Sequence, residues 1–250
     1  MRFSIITICF NSCLTIADTI KSVAGQSHKN IEYIVVDGCS TDGTKEIIGH
    51  YSGNITKYVS QKDNGLYDAL NKGIALATGD VIGFLHADDL YADEKAVEKV
   101  AALFDKEKTD SVYGDLVYVN SRDTQKVVRY WHAGKLSIGK LKLGWFPPHP
   151  AFFVKKNIYV RYGGFDTGFK IAADYDIMLR FLLDKRISSA YLPQVLIKMR
   201  LGGASNRNLQ NLYRKSSEDL AVMRKHAVDF PLLALLLKNI SKIPQFITKR

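Results

Sequence analysis

The first hundred residues alternate between short apolar runs and longer segments with helical spacing, and this alternation constrains the fold more than any other feature. The apolar runs that predict strands are residues 3–8, 31–36, 55–60 and 81–85. Between them, apolar residues recur every three or four positions, as on the buried face of a helix. Strands that alternate with helices form a parallel sheet with right-handed crossovers. The sequence therefore predicts an α/β fold with a mostly parallel central sheet flanked by helices.

The rest of the chain is less regular. Strands are predicted at 111–130 around a polar turn, at 151–154 and at 190–199, with a short helix at 174–183. From residue 206 the sequence predicts a basic helical C-terminal extension. We therefore divide the chain into a main unit, 1–205, whose halves are 1–110 and 111–205, and the extension, 206–250.

Composition and charge restrict the class of protein. Apolar residues make up 46% of the 250 residues, which is typical of a folded chain rather than a disordered one. The net charge is +10, and residues 200–250 carry ten Lys or Arg against three acids. Such a basic segment suits nucleic acid, a phosphate-bearing ligand or an anionic membrane, but a solvated basic surface explains it equally well.

Cysteine usage and hydropathy indicate where the protein works. The three cysteines all lie before residue 40, which does not resemble a secreted disulfide framework and favours a reducing compartment. The N-terminal apolar run is too short for a signal peptide. The longest apolar stretch, residues 230–237, is far shorter than the roughly 20 residues of a spanning helix. A soluble or peripheral protein is predicted.

Polar residues gather where the predicted strands end. Ligands of open α/β sheets bind outside the carboxyl ends of the strands. Acidic, amide, thiol and imidazole side chains follow the first, second and fourth strands at Cys9, Asn11, Asp37, His86, Asp88 and Asp89. Random surface polarity would not prefer this edge, so we expect the ligand there.

The adjacent acids Asp88 and Asp89 are the sharpest feature. Two carboxylates directly after a buried strand repel each other unless a cation lies near them. Their hard oxygen ligands suit Mg²⁺ or Mn²⁺, which proteins often share with substrate phosphates. The alternative is a pair of acids that caps a helix, and spacing alone does not decide between the two.

The remaining candidates have ordinary alternatives. Asp37 follows a strand and can bind a base or a ribose, or it can simply form the turn before Gly38. Asp174 and Asp176 begin a predicted helix, where a carboxylate caps the helix or serves as a general base. His149 lies between two prolines and can line an acceptor site or pack in the core.

Two classes of protein also need to be weighed against these residues. A metal-dependent nucleotidyltransferase would show a Gly-rich phosphate loop after the first strand, and residues 9–13 read CFNSC. A nucleic-acid-binding module would explain the basic charge. It would leave the acids at the strand edge unexplained, because they repel a phosphate backbone.

Several motifs in order resemble the family 2 glycosyltransferases, which have the GT-A fold. The opening SIITICFN is similar to the family's first strand and turn, and VVDGCSTDGT is similar to its Asp-Asp-Gly-Ser stretch. DNGLYDALNKGIALATGDVIGFLHADD resembles the long middle motif that ends in a variant Asp-x-Asp metal site. GGFDTGFKIAADYDIMLRF resembles the catalytic-base region, and LGGASNRN a later loop of colanic acid and O-antigen transferases.

The resemblance assigns expected roles to individual residues. It implies a Rossmann-like nucleotide-binding half at 1–110 and an acceptor-binding half at 111–205. It places Asp174 at the catalytic base and Asp89 at the direct metal ligand, with Mn²⁺ or Mg²⁺ as cofactor. The expected nucleotide contacts are Thr7, Cys9, Asn11, Asp37 and Asp88, and the expected acceptor or donor-sugar contacts are Asn71, Lys72, His149 and Asp176. The chain departs from the family at Gly38, Cys39 and His86, where many members have Asp, Gly and Asp.

The resemblance also implies a reaction and a location. The reaction would be an inverting transfer from a UDP-sugar to a lipid-linked saccharide, in the synthesis of O-antigen, capsule or exopolysaccharide, with no nucleic acid as partner. The enzyme would be cytoplasmic and peripheral at the inner face of the membrane. There the apolar residues 230–237 and the cations Lys238, Lys242, Lys249 and Arg250 would contact anionic lipid. Alternatively, the leucines of this segment cover the catalytic domain.

Overall fold

The computed structural model describes residues 1–202 and 209–241. The strands are β1 (Phe3–Cys9), β2 (Ile31–Asp37), β3 (Lys57–Ser60), β4 (Val81–Phe84), β5 (Leu90–Tyr91), β6 (Ser111–Val119), β7 (Val127–Trp131), β8 (Phe152–Lys155) and β9 (Ser189–Arg200). The helices are α1 (Ile16–Ala24), α2 (Thr44–His50), α3 (Leu66–Leu76), α4 (Ala96–Glu107), α5 (Ile138–Lys142), α6 (Lys156–Tyr162), α7 (Ala173–Leu179), α8 (Leu209–Lys225) and α9 (Pro231–Ile240). The predicted alternation of strands and helices is confirmed.

The central sheet has the order β3-β2-β1-β4-β8-β6-β9-β5, with β7 paired to β6. Strands β1 to β4 pair in parallel, as predicted. The second half adds antiparallel pairs to this parallel sheet. There, β8 is antiparallel to both β4 and β6, and β5 and β7 are antiparallel to their neighbours, whereas β6 and β9 pair in parallel. The sheet is therefore mixed, and each of these antiparallel pairs involves a strand from the second half of the chain.

Both faces of the sheet are covered, which explains the uninterrupted apolar runs. Ile6 faces one core with residues of α3 and α7, and Ile5 faces the other with residues of α1 and α4. All seven residues of β1 are buried. A strand that is buried on both faces carries a near-continuous apolar run. The two polar residues of β1, Ser4 and Thr7, are hydrogen-bonded. Helix α3 approaches β1 so closely that a Cβ on Gly73 would overlap the side chain of Ile6.

Two residues near helix ends have different tasks. Before α4, the Asp93 carboxylate accepts a hydrogen bond from the amide of Lys95, which is the N-cap. Helix α3 ends at Leu76, three residues before Gly79. Gly79 lies against β1, where a Cβ would come within 2.8 Å of the Arg2 carbonyl oxygen. Asp93 therefore stabilises the start of α4, whereas Gly79 permits a tertiary contact.

The two C-terminal helices pack on the main unit. On α9, Ala234 and Lys238 are buried, whereas Leu232, Leu233 and Leu236 are exposed. This corrects the expectation that Lys238 contacts lipid. The predictions for residues 203–208, Lys242, Lys249 and Arg250 lie outside the described residues. Within 1–202 and 209–241, no helix combines the length and hydropathy that crossing a bilayer requires.

Candidate active site

The carboxyl ends of β1, β2 and β3 are tied together by Asp37. Its carboxylate accepts hydrogen bonds from the amide and hydroxyl of Ser40 and from the hydroxyl of Ser60 at 2.6 Å. The Cys9 thiol lies 3.7 Å away. Asp37 has no exposed surface. It therefore holds the turn after β2 and is not placed for the direct nucleotide contact expected of it.

Thr7 and Cys9 are also framework residues rather than accessible contacts. The Thr7 hydroxyl is fully buried, donates to the Leu85 carbonyl oxygen at 2.7 Å and accepts from the Tyr33 hydroxyl. Burial, followed by the charge of Asp37, raises the pKa of the buried Cys9 thiol, so the thiol stays neutral. These contacts fix the end of β1 against its neighbours.

The accessible groups at this edge are Phe10, Asn11 and Asp63. Phe10 is 63% exposed at the end of β1, and its ring can stack on a nucleobase. Asn11 has a positive φ of 48°, and its side-chain oxygen accepts from the Thr41 amide. A Cβ on Gly38 would lie 2.7 Å from Asp63 Oδ2 and 3.3 Å from the Phe10 ring. The Asp63 carboxylate thus occupies the space that a side chain at position 38 would take.

Asp63 and Phe10 were missed as site residues from the sequence. The available signal was the Gly at position 38, where the family has Asp, because a lost carboxylate invites a search for its replacement. The Asp-Asn-Gly turn at 63–65 was a second signal, and Asp63 indeed accepts a hydrogen bond from the Gly65 amide. Neither signal shows that a residue 25 positions after Gly38 fills the space beside it.

The two acids that follow β4, Asp88 and Asp89, differ in solvent exposure. Asp88 is partly exposed, and its carbonyl oxygen accepts from Arg200 at 3.0 Å. Asp89 is fully buried, and neither carboxylate oxygen has a hydrogen-bond partner in the described part of the chain. Burial, followed by the charge of Asp88, raises the pKa of Asp89 well above its usual range, and Arg200 opposes this effect. An unpartnered buried carboxylate needs a proton or a cation.

The residues present fit a hard divalent cation. Asp88 and Asp89 supply oxygen ligands, and the orphaned oxygens of Asp89 are what a cation would satisfy. Within the described ranges, no group of three or more acids, histidines or cysteines is arranged so that it could hold a metal ion by itself. A cation here would need further ligands from a substrate phosphate. Asp88 lies nearer the surface than Asp89, and both stay predicted to hold the cation, with Asp89 as the direct ligand.

An aromatic wall, His86–His149–Phe165–Tyr67, runs from the acid pair toward α7. Ring centroids are 6.2 Å apart between the two histidines, 5.3 Å between His149 and Phe165, and 5.6 Å between Phe165 and Tyr67. Burial lowers the pKa of His149 to about 3, so the ring is neutral. His149 is 6% exposed and belongs to this wall, which corrects its assignment as a direct sugar contact.

Asp174 lies at the far end of the aromatic wall, in the first turn of α7. It is partly exposed, its Oδ1 is 3.5 Å from the Tyr67 hydroxyl, and the same oxygen accepts from the Tyr175 amide at 2.8 Å. Burial raises the pKa of Asp174, and Lys238 opposes the increase. A raised pKa suits a carboxylate that takes a proton during catalysis.

The segment before α7 is held by Glu218, which the sequence did not single out. Its carboxylate accepts hydrogen bonds from the amides of Lys170, Ile171 and Ala172 at 2.8 to 3.1 Å. These three donors come directly before the helix that carries Asp174. The C-terminal helix α8 therefore positions the start of α7 from more than 40 residues away.

Asp176, two residues after Asp174, has a different environment. It has no exposed surface, and its Oδ1 lies 2.8 Å from Lys225 and 3.0 Å from His226. Its other oxygen is 3.6 Å from Arg180. The expected sugar contact is therefore wrong, because Asp176 is turned inward and fastens α8 to α7.

The other two expected sugar contacts lie on α3. The side-chain amide of Asn71 donates to the Phe165 carbonyl at 2.9 Å and accepts from its amide at 2.8 Å. Asn71 thus positions Phe165 rather than a sugar. Lys72 pairs with Asp68 at 3.3 Å and donates to the Lys62 carbonyl at 2.8 Å, which fastens the loop that carries Asp63.

Comparison with known proteins agrees with this geometry. The family model described as Glycosyl transferase family 2 matches residues 4–171. A PGL/p-HBAD biosynthesis glycosyltransferase of Mycobacterium tuberculosis is 28% identical over 209 residues, covering 82% of this chain and 79% of that protein. An uncharacterized glycosyltransferase of the same species is 34% identical over 191 residues, covering 72% and 68%.

Solved structures share the fold. S. aureus TarS 1-349 in complex with UDP-GlcNAc superposes with a TM-score of 0.72 at 20% identity, over 91% of this chain and 66% of that chain. The mannosyltransferase PcManGT from Pyrobaculum calidifontis, in complex with GDP-Man and Mn²⁺, gives 0.67 at 17% identity, over 98% and 73%. At these identities the likeness establishes the architecture, which is the GT-A type.

Proposed function

The chain belongs to glycosyl transferase family 2, and we propose that it transfers a sugar from a UDP-sugar to an acceptor hydroxyl with inversion. The observation that most supports this is the aromatic wall, which joins the acid pair at one end to Asp174 at the other. A donor diphosphate at the acids and an acceptor at Asp174 would then share one cleft. The family assignment favours this class over the nucleotidyltransferase and nucleic-acid-binding alternatives.

Asp174 is the proposed general base. The acceptor oxygen attacks the anomeric carbon while its proton passes to the Asp174 carboxylate. The bond from the anomeric carbon to the diphosphate oxygen breaks on the opposite face, and the nucleoside diphosphate leaves with that electron pair. The partial exposure of Asp174 lets an acceptor hydroxyl reach it, and the amide of Tyr175 donates to its Oδ1 and keeps that oxygen in place.

The diphosphate would lie at Asp88 and Asp89, which would hold a divalent cation between them and the phosphate oxygens. Bound there, Mg²⁺ or Mn²⁺ supplies charge compensation for the leaving diphosphate. Arg200 fixes this loop by donating to the Asp88 carbonyl, and its second terminal nitrogen pairs with Asp18 at 2.6 Å. The loop is therefore held in position independently of any ligand.

The base would lie between Phe10 and Asp63. The ring of Phe10 offers a stacking face, and the Asp63 carboxylate can accept a hydrogen bond from a base N–H. Uracil carries such an N–H on its pairing edge. This arrangement supports a UDP-sugar as donor, with Asp37, Thr7 and Cys9 acting through the turns that they hold.

Donor hydrolysis tests the proposal. A screen of nucleotide sugars with Mn²⁺ should give one strongly preferred UDP-sugar that is slowly hydrolysed. Asp174→Asn should bind this donor with unchanged affinity and slow transfer by roughly 100-fold or more. Transfer at the wild-type rate by Asp174→Asn would remove the base from the proposal, and hydrolysis of only non-uridine donors would remove the UDP assignment.

The proposed acceptor is a lipid-linked saccharide of bacterial surface polysaccharide synthesis, reached at the inner face of the cytoplasmic membrane. One argument is the relative named for PGL/p-HBAD biosynthesis. The other is α9, whose outer face exposes Leu232, Leu233 and Leu236, followed by Ile240 at 48% exposed. An apolar helix face on a chain of net charge +10 suits the interface of an anionic bilayer.

Vesicle flotation tests the membrane proposal. The wild-type protein should bind phosphatidylglycerol vesicles, and binding should weaken as salt rises, because ions screen exposed cations. Leu232→Glu with Leu236→Glu should abolish binding while hydrolysis of the donor stays unchanged. Val160→Glu, on an apolar residue of α6 that is 77% exposed, is the matched control and should bind normally. Equal binding by the double variant would contradict the proposal.

A further inference from the structure

The C-terminal helix α9 directs a lysine toward the helix of the proposed base. Lys238 is 3% exposed, and its Nζ lies 2.7 Å from Oδ1 of the equally buried Asp219 on α8. The same nitrogen is 3.7 Å from the centre of the Tyr175 ring and 4.9 Å from that of Phe146. Tyr175 follows Asp174 directly. A buried cation thus lies one residue from the proposed base.

Hydrophobic docking explains this orientation only in part. Ala234 and Leu235 pack on the core, but α9 also buries Lys238 and exposes Leu232, Leu233 and Leu236. A buried ion pair is weak evidence for stability, because apolar residues of similar volume often serve as well. The backbone at Gly144 packs closely against Lys238, because a Cβ on Gly144 would lie 2.9 Å from the Cβ of Lys238.

We propose that Lys238, held in place by Asp219, is a positioning residue that packs against Tyr175 and keeps the neighbouring Asp174 ionised and ready to accept the proton of the acceptor. The proposal rests on the assignment of Asp174 as the base. In this arrangement α8 and α9 support the site from outside: Glu218 holds the backbone before α7, and Lys238 supplies positive charge beside its first turn.

The charged and titratable groups around Asp174 define the expected signs. Tyr67 faces it from α3, Lys238 from α9, and Asp219 and Lys215 from α8. Burial raises the pKa of Asp174, Asp219 raises it further, and Lys238 and Lys215 lower it. Removal of the lysine charge should therefore favour the protonated base, and removal of the Asp219 charge should favour the ionised base.

The test is the pH profile of kcat/KM for two single variants. In Lys238→Met the acidic limb should move to higher pH, with a loss of about threefold or more at the pH where the wild type is half-active. In Asp219→Asn the same limb should move to lower pH. Lys238→Arg keeps the charge and should restore the wild-type limb. If these residues had only a structural role, both variants would lose activity, but the acidic limbs of their pH profiles would not move in opposite directions.

Controls separate this proposal from folding and from the assignment of the base. Lys142→Met removes the exposed pair Lys142–Asp229, 2.7 Å long and also anchored near α9, and should leave the limb unmoved. If Lys238→Met fails to fold, Asp219→Asn carries the measurement. The double variant leaves no buried charge unpaired, and its acidic limb should return toward the wild-type position because the two opposite effects on Asp174 cancel. An unmoved limb in folded variants overturns the proposal. An active Asp174→Asn instead overturns the base assignment on which it rests.

Discussion

Asp174 and Asp176 are separated by one residue, and exchanging each for Asn should have opposite consequences. Asp174→Asn should lose turnover and keep its thermal stability, because the carboxylate is partly exposed and its hydrogen bonds are weak or local. Asp176→Asn should lose stability and keep most of its turnover when folded. The reason is that Asp176 has no exposed surface and three cationic neighbours.

The size of the stability loss follows from these contacts. Breaking a buried ion pair costs about 3–5 kcal/mol, and Asn retains one oxygen that still accepts a hydrogen bond, so a loss of about 2–3 kcal/mol is expected. Lys225 contributes little of this, since its side chain is 43% exposed and solvent screens it. For a chain of this length, such a loss lowers Tm by roughly 5–10 °C.

The pH dependence of Tm gives a second signature. Burial is the largest single effect and opposes ionisation of both partners, but hydrogen bonds and charges together outweigh it. His226 and Lys225 thus lower the pKa of Asp176, and Asp176 and Asp184 raise the pKa of His226. A lowered acid pKa stabilises the fold above its unfolded value and loses that effect as pH falls. A raised histidine pKa stabilises it below the unfolded value and loses that effect as pH rises. Asp176→Asn should therefore flatten both limbs of the Tm profile.

Differential scanning fluorimetry from pH 4 to 9, with turnover measured at least 15 °C below each Tm, provides both readouts. Asp105→Asn, the same exchange at an exposed residue of α4, is the matched control. A Tm for Asp176→Asn equal to that of the wild type would refute the assignment of Asp176 as the anchor of α8. A folded Asp176→Asn with lower turnover than Asp174→Asn would show that the base is misassigned.

Three further results are expected. Activity should vanish with excess chelator and return with Mg²⁺ or Mn²⁺ but not with Zn²⁺. It should also be largely lost in Asp89→Ala, and full activity in chelator would contradict the cation site. Asp63→Asn should weaken donor binding about tenfold, and moving the carboxylate to its neighbour in the double variant Gly38→Asp, Asp63→Gly should restore part of it, as measured by calorimetry. Glu32→Gln should lower the free energy of unfolding by about 2 kcal/mol at neutral pH and by less in acid, because hydrogen bonds outweigh burial and lower the pKa of Glu32.

The first half of the fold was predictable because its signals are local. Each residue of β1 is buried by a helix on one face or the other, so the apolar run itself encodes the position of the strand in the sheet. The insertion of β8 between β4 and β6 was not predictable, since four residues of apolar sequence carry no information about direction or neighbour.

The site divides in the same way. The positions of Asp88, Asp89 and Asp174 follow from motifs that keep their residue order. Their environments do not, because each depends on a group distant in sequence. Asp63 fills the space beside Gly38, Glu218 captures the amides before α7, and Lys238 lies against Tyr175. No periodicity or spacing within one segment reports contacts over 25 to 60 residues.

The two faces of α9 change what a deletion of the C-terminal segment can show. The sequence offers two alternatives for residues 230–237, contact with a membrane or cover for the catalytic domain. The structure gives each face of the helix one of these tasks: Ala234 and Lys238 pack inward, and Leu232 and Leu236 remain free. Deletion would remove both faces at once, leave Asp219 buried without its cation, and reduce activity whether or not a membrane is involved. Only substitutions confined to one face separate the effects. Glutamates at 232 and 236 should affect vesicle binding alone, and Lys238→Met should affect the acidic limb alone.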